Sequence, residues 1–245
     1  MPEKDFISTL HKLKTRGYFI VDVYPNTINE ERITPVIKCK EVLKDSAIQL
    51  RGWDYPHIPT VTLDHQNIYV AGSKVEAWID WEQYKEVLQL HKSGHFLHLF
   101  GLFEDWFEED SWNSGNDIYS KIKPGTVLLI INMVYRITEV FVYLRNLVNT
   151  GLYDDGITVK LTLNNTKNRV LKVIEPSRAP LFMDYRCMQD SIEFPEKTYS
   201  KDEVLNNYLD IALENIVYLC NQFNWDAPPI NVLKEDQKKL LERRI

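Results

Sequence analysis

Cysteine is scarce in this sequence, which has three in 245 residues. Cys39, Cys187 and Cys220 are odd in number and far apart, a pattern that fits neither a disulfide framework nor a paired CxxC metal site. We therefore expect three ordinary thiols, buried or half-buried, and a fold that does not depend on disulfide bonds.

Uninterrupted apolar runs are also missing. The most apolar segment is residues 126–149, whereas a membrane-spanning helix needs about 20 predominantly apolar residues in a row. The segment is interrupted by Asn132, Arg136, Glu139, Arg145 and Asn146. The chain also begins with a charged, amphipathic segment rather than the apolar core of a signal peptide. The sequence therefore predicts a cytoplasmic protein with no membrane partner.

The motifs of common nucleotide-dependent and hydrolytic enzymes are absent. The sequence has no GxxxxGK[ST] loop, no GxGxxG after a strand, no HExxH and no GxSxG elbow. Catalytic residues are therefore unknown, no cofactor is predicted, and the question whether the protein is an enzyme stays open. The net charge of −6 excludes a general attraction to nucleic acid, which would require a local basic patch.

The N-terminal part has the patterns of both helices and strands. Residues 5–16 carry apolar side chains at helical spacing, and residues 18–25 resemble a strand. Two short strands are predicted on either side of Gly72 and Ser73, and residues 95–103 form an apolar run of strand length. These patterns predict a small mixed sheet accompanied by helices.

The segment after Ile79 is predicted as a further helix. Asp80 suits the first position, and Gly94 suits the end. The apolar face of this helix would comprise Tyr84, Val87, Leu88 and His91.

Residues 126–149 are predicted as a buried helix, because their polar side chains form one narrow stripe. Arg136 and Glu139 lie three positions apart on that stripe and are expected to pair. Residues 200–223 are predicted as a second helix, opened by a capping box and packed on the first.

The segment between these two helices, residues 157–175, alternates apolar and polar side chains and predicts one β-hairpin. Residues 176–199 lack a period and are predicted to be irregular. The overall prediction is an α+β protein with a mixed-sheet half at 1–110, a loop at 111–125 and a mainly helical half at 126–245. We expect the two halves to share one core.

The loop RGWDYPH is the strongest candidate for a recognition site. Arg51 suits an anionic group, and Trp53 or Tyr55 could stack on a planar one. Asp54 and His57 have the side chains of an acid–base pair. A structural alternative stays open, in which Arg51 pairs with Asp54 and Trp53 anchors the loop.

Histidines and tryptophans concentrate near this loop. His91, His95 and His98 have the spacing of a zinc site on a continuous helix, but Gly94 interrupts it and a strand would point His95 and His98 to opposite faces. Packed histidines are therefore favoured, and no metal is predicted. The predicted binding residues are Arg51, Trp53, Asp54, Tyr55, His57, Trp81, His95 and His98.

The segment LRGWDYPHI, followed by Trp81, Tyr84 and the SGHFLH segment at 93–98, resembles a family of uncharacterised bacterial proteins. The resemblance covers the first half of the chain and implies no established activity. It implies an association with nucleic-acid handling or antiviral defence in bacteria.

Three functions are consistent with these observations. The first is a cytoplasmic binding, adaptor or sensor protein that recognises a protein partner or small ligand through the aromatic loop region. The second is a hydrolase that uses Asp54, His57, His95 or His98. The third is nucleic-acid binding by the basic segments at 11–16 and 32–44 and by the basic end of the chain. The oligomeric state is not predicted.

Overall fold

The computed structural model describes residues 2–111 and 119–244, which form ten strands and five α-helices. The strands are β1 (Tyr18–Pro25), β2 (Gln66–Ala71), β3 (Lys74–Trp81), β4 (Tyr84–His91), β5 (Phe96–Gly101), β6 (Val127–Leu129), β7 (Ile157–Asn164), β8 (Val170–Lys172), β9 (Ser191–Glu193) and β10 (Lys197–Tyr199). The helices are α1 (Pro2–Lys14), α2 (Lys38–Ser46), α3 (Ile130–Leu147), α4 (Lys201–Gln222) and α5 (Ile230–Leu241). The protein is therefore of the α+β class.

The largest feature is one eight-stranded antiparallel sheet. Its order is β10-β7-β1-β5-β4-β3-β2, and β9 pairs with β7 beyond the end of β10. Strand β1 lies between β5 and β7, with Tyr18 opposite Gly101 on one side and Asn164 on the other. The predicted small mixed sheet of the N-terminal half is thus wrong, because strands from both parts of the chain join a single antiparallel sheet.

The predicted C-terminal hairpin is also wrong. Strand β8 does not pair with β7 but runs parallel to β6, with Val127 opposite Val170. The segment predicted to be irregular contributes β9 and β10 to the sheet. Arg169, directly before β8, forms a buried ion pair with Asp105, which is far away in the sequence. This contact lies where β8 pairs with β6 instead of β7. The C-terminal part is therefore not mainly helical.

The helix predicted after Ile79 is in fact strand β4. Trp81 and Tyr84 face each other across a tight turn in which Glu82 has a φ of 48°. Strand β4 is covered on both faces, so apolar side chains occur on both, as with Val87 and Leu88. Burial on both faces removes the simple alternation that identifies a strand, and the remaining pattern imitates helical spacing.

Helices cover both faces of the sheet. On one face, Phe19 and Val21 of β1 belong to a large core that also contains residues of α2, α3, α4 and α5. On the other face, Phe6 and Leu13 of α1 pack on a smaller cluster that includes Trp78. The large core contains residues from both parts of the chain. Helix α3 packs on the sheet within this core and therefore brings its charged side chains close to the sheet.

The two long helices agree with the sequence pattern. Helix α4 packs on α3, and Ser200 forms a capping box with Glu203, so both predictions are confirmed. Helix α3 is shorter than predicted, because its first apolar residues form β6. None of the helices in the described ranges is long and apolar enough to cross a membrane.

Candidate functional site

The predicted recognition loop folds onto the face of the sheet that α3 covers. Ile48 and Tyr55 exchange two backbone hydrogen bonds, of 2.9 and 2.8 Å, which close the loop around exposed Gly52. Tyr55 is fully buried, and Trp53 is 8% exposed. The aromatic side chains of the loop therefore point inward, toward the sheet.

A buried carboxylate, Glu86 of β4, organises this region. It accepts a hydrogen bond from Trp53 Nε1 at 3.0 Å and one from His98 Nε2 at 3.1 Å, and the backbone N–H of His57 lies 3.4 Å away. Burial works to raise the pKa of Glu86, but the hydrogen bond from His98 and nearby positive charge, including that of Arg136, lower it to about 2. Glu86 is therefore ionised inside the core.

His98 connects Glu86 to the loop. Its Nδ1 lies 3.2 Å from the hydroxyl of Tyr55, and burial lowers the pKa of the ring. A neutral ring that donates from Nε2 to Glu86 accepts at Nδ1 from the Tyr55 hydroxyl. Burial keeps the pKa of Tyr55 well above its usual value, so the hydroxyl retains the proton that it donates.

A half-buried arginine and a buried arginine share a second carboxylate. Arg51 donates from Nε and Nη2 to Glu139 of α3, at 2.8 and 2.7 Å, rather than pairing with Asp54. Arg136 donates to Glu139 at 3.2 Å, which confirms the predicted pair. Its Nε and Nη2 have no hydrogen-bond partner among the described residues, and its guanidinium lies 4.1 Å from the ring centroid of Phe103. With Glu86, the cluster contains two cations and two carboxylates.

Five aromatic rings extend from this buried cluster toward the surface. Trp53 lies 4.1 Å from the ring centroid of His57 and 3.7 Å from that of Tyr84. Trp81 is 5.5 Å from Trp53 and 5.6 Å from His65. We call these five residues the ring stack. Four of them are half-buried, so the stack presents ring surface to solvent beyond buried Trp53.

His57 forms an ion pair at the rim of the ring stack. Its Nδ1 lies 2.8 Å from a carboxylate oxygen of Asp54, and its Nε2 lies 3.2 Å from Gln66 Oε1. Gln66 Nε2 donates to the carbonyl of Val61 at 3.3 Å, which leaves Oε1 for His57. Burial works to lower the pKa of His57, but Asp54 and Glu86 outweigh it and raise the pKa. Because both nitrogens face acceptors, the ring is best satisfied when protonated.

Asp54→Asn is expected to lower the pKa of His57, because the neutral side chain no longer favours the imidazolium. The pKa of His57 in the folded protein lies above its unfolded value of about 6.5, so the pair stabilises the fold below about pH 6.5. That stabilisation disappears as the pH rises through the folded-state pKa. We expect Asp54→Asn to lower the free energy of unfolding by about 1 kcal/mol at pH 5.5 and by almost nothing at pH 9.

NMR titration of the His57 ring and urea unfolding at these two pH values measure the effect. Asp22→Asn is the matched control, because Asp22 is hydrogen-bonded to a different histidine, His95, at 2.6 Å. A His57 pKa that is the same in wild type and Asp54→Asn would contradict the assignment of the ion pair.

The histidines do not converge on a metal site. His95 is exposed and bonded to Asp22, while His91 contacts the hydroxyls of Ser73 and Ser93 at 2.7 and 2.8 Å. Within residues 2–111 and 119–244, no group of three or more His, Cys, Asp or Glu side chains could hold a metal ion. Of the predicted binding residues, His95 alone lies apart from the ring stack and the buried cluster.

The structure adds four residues to the predicted site: His65, Gln66, Tyr84 and Glu86. The available signal is Glu86 itself, a carboxylate directly before the apolar residues Val87 and Leu88 of β4. Because the spacing of this segment predicts a helix, nothing in the sequence indicates that Glu86 meets His98 on the neighbouring strand. Trp112 and the rest of 112–118, which belong to the predicted loop at 111–125, lie outside the described residues.

Comparisons with protein-family models, with curated proteins and with solved structures found no match. The resemblance based on LRGWDYPHI, and the association with bacterial nucleic-acid handling or defence that it implies, therefore stay predictions. The function of the site has to be inferred from its own geometry.

Proposed function

We propose that this protein is a recognition protein that binds a ligand or partner at the ring stack. The observation that supports the proposal is a set of half-exposed rings, those of His57, His65, Trp81 and Tyr84, held against a buried polar cluster. Aromatic side chains of this kind provide a large contact area at low cost in conformational entropy.

The buried cluster supports the proposal because it orients the rings before anything binds. Glu86 fixes the indole of Trp53, and Trp53 in turn lies between His57 and Tyr84. A surface whose side chains are already ordered loses less entropy on binding. Arg51 belongs to this support, because its guanidinium is engaged by Glu139 rather than free for a ligand.

The exposed chemistry defines the class of ligand. The face of Trp81 favours a planar or cationic group, since aromatic rings stack on planar groups and attract cations. Asp54 provides an acceptor beside it, whereas both ring nitrogens of His57 are already directed at acceptors of the protein. A planar group with polar substituents matches both features.

The alternative functions have less support. In a hydrolase, His57 would need a free nitrogen, yet both nitrogens face acceptors, and both nitrogens of buried His98 are engaged as well. His95 lies apart from these residues. Hydrolase activity and nucleic-acid binding by the basic segments therefore stay predictions.

Trp81→Ala is expected to abolish binding of whatever wild-type protein carries when isolated from its own host. Native mass spectrometry of the isolated protein measures the bound mass. Trp225→Ala is the matched control, because Trp225 is also half-buried and stacks on one ring, that of Tyr185 at 5.2 Å. We expect the bound species in wild type and Trp225→Ala but not in Trp81→Ala. A species retained by Trp81→Ala would place recognition elsewhere.

A further inference from the structure

Strand β10 forms one edge of the sheet, and a groove of about 760 Å³ lies between it and helix α4. We propose that this groove binds an extended, basic segment of a partner protein, which adds to β10 as a further strand. Strand addition of this kind obtains affinity from backbone hydrogen bonds at a sheet edge and selectivity from alternate side chains. The proposal is independent of the ring stack.

The backbone of β10 is suited to strand addition. Asn26 N donates to the carbonyl of Gly156, and Phe194 N donates to that of Leu161, so odd-numbered residues of β7 face β9 and β10. Alternation in an antiparallel ladder therefore directs the N–H and C=O of Thr198 away from β7. No described residue pairs with this outer side of β10.

At the opposite edge of the sheet, two residues of β2 are covered by the protein itself. On β2, Gln66 exchanges backbone hydrogen bonds with Leu63, of 3.0 and 3.2 Å. Ile68 donates to the side chain of Asn67 and accepts from Lys40 Nζ. Natural sheets block their edges in this way against unwanted pairing. Within the described part of the chain, no such cover is found at Thr198 of β10, so this edge is suited to a partner strand.

The charges of the groove define the partner. Four carboxylates line it, two of which, Asp210 and Glu214, are exposed on α4. The other two are Glu196 and Glu203. Against them the lining has one cation, Lys197, which pairs with Glu214 at 2.9 Å, and Lys234 of α5 pairs with Asp210 at 3.4 Å, so four carboxylates face two cations. A strand that carries lysine or arginine would compensate this excess of negative charge, whereas an acidic strand would be repelled.

The apolar floor of the groove favours a partner strand whose alternate side chains differ in character. Tyr199 and Ile211 are 8% and 6% exposed and provide apolar surface between the strand and the helix. Side chains of an added strand alternate between the groove and the opposite face. We therefore expect a partner segment in which basic and β-branched residues alternate.

The test uses a synthetic peptide of alternating lysine and valine, about eight residues long, with blocked ends. Isothermal titration calorimetry measures its affinity for wild-type protein and for Asp210→Asn/Glu214→Gln. We expect at least a tenfold loss in that variant. The matched control is Asp184→Asn/Asp190→Asn, which removes two exposed carboxylates outside the groove, each paired with one cation at 3.6 Å. We expect less than a twofold change in the control.

A second peptide, N-methylated at alternate residues, distinguishes strand addition from simple charge attraction. It keeps the charges but cannot donate backbone hydrogen bonds from the strand edge that carries the methyl groups, so we expect at least a tenfold weaker binding. In the complex with the unmodified peptide, hydrogen exchange at the Thr198 amide should slow. The Trp81→Ala variant should bind the unmodified peptide as tightly as wild type does, because the groove is separate from the ring stack. The proposal is overturned if the peptide does not bind, if the methylated peptide binds equally well, or if both double variants lose affinity equally.

Discussion

Glu139→Gln is expected to lower the free energy of unfolding by about 3–5 kcal/mol. Glu139 is 0% exposed and is the carboxylate that both Arg51 and Arg136 contact. The amide keeps the shape of the side chain but leaves an uncompensated positive charge in the core. It also turns an N–H group toward guanidinium donors. Urea unfolding at pH 7 followed by circular dichroism measures the change as a lower midpoint at unchanged slope.

A second substitution tests whether charge is the cause. Arg51→Met combined with Glu139→Gln removes one cation and one anion, which leaves Arg136 and Glu86 as a balanced pair. The double variant should therefore be more stable than Glu139→Gln alone. Glu214→Gln, which removes an exposed carboxylate paired with Lys197, should change stability by no more than about 0.5 kcal/mol. A Glu139→Gln protein as stable as wild type would show that the guanidinium groups do not depend on this carboxylate.

Arg169→Met should have a comparably large effect, a loss of about 3–5 kcal/mol, at a different place in the fold. Arg169 is fully buried, donates to Asp105 at 2.8 Å and donates to the carbonyl of Val127 in β6 at 2.9 Å. Without the guanidinium, the carboxylate of Asp105 would be a buried charge that, among residues 2–111 and 119–244, accepts hydrogen bonds only from the backbone N–H groups of Gly17 and Gly125, each at 2.7 Å. Thermal unfolding should show a decrease of about 2–4 °C in Tm for each kcal/mol lost.

The control for this prediction is Arg186→Met. Arg186 is exposed, pairs with Asp184 at 3.6 Å and donates to the carbonyl of Asn168 at 2.7 Å, so its loss should cost no more than about 1 kcal/mol. Hydrogen exchange adds a local measurement, because amides of β6 and β8 should exchange faster in Arg169→Met. Equal stability of the two variants would contradict a special role of the buried pair in joining β8 to β6.

The ring stack and the buried cluster have different expected roles, and the variants separate them. Glu139→Gln should reduce both stability and binding, because Arg51 ties the recognition loop to α3. Trp81→Ala should abolish binding at the ring stack with little effect on stability, because Trp81 is half-buried at the end of the stack. This contrast distinguishes residues that support the surface from residues that contact the ligand.

Local information in the sequence determined the elements whose signals do not depend on distant partners. The capping box at Ser200 and Glu203, the alternation of β7 and the polar stripe of α3 all result from interactions within a few residues. The RGWDYPH loop was recognisable for the same reason, since its charged and aromatic side chains lie side by side in the chain. The pairing of Arg136 with Glu139 follows from their spacing on one helix.

Only the tertiary structure decided which strands pair and what each polar side chain contacts. Strand β8 pairs with β6, and Arg51 reaches Glu139 across 88 positions of sequence. Strand β4 could not be recognised because helices cover both of its faces, which removes the alternation of a half-exposed strand. Hydrogen bonds and ion pairs act over a few ångströms in space, so partners far apart along the chain leave no local pattern that identifies them.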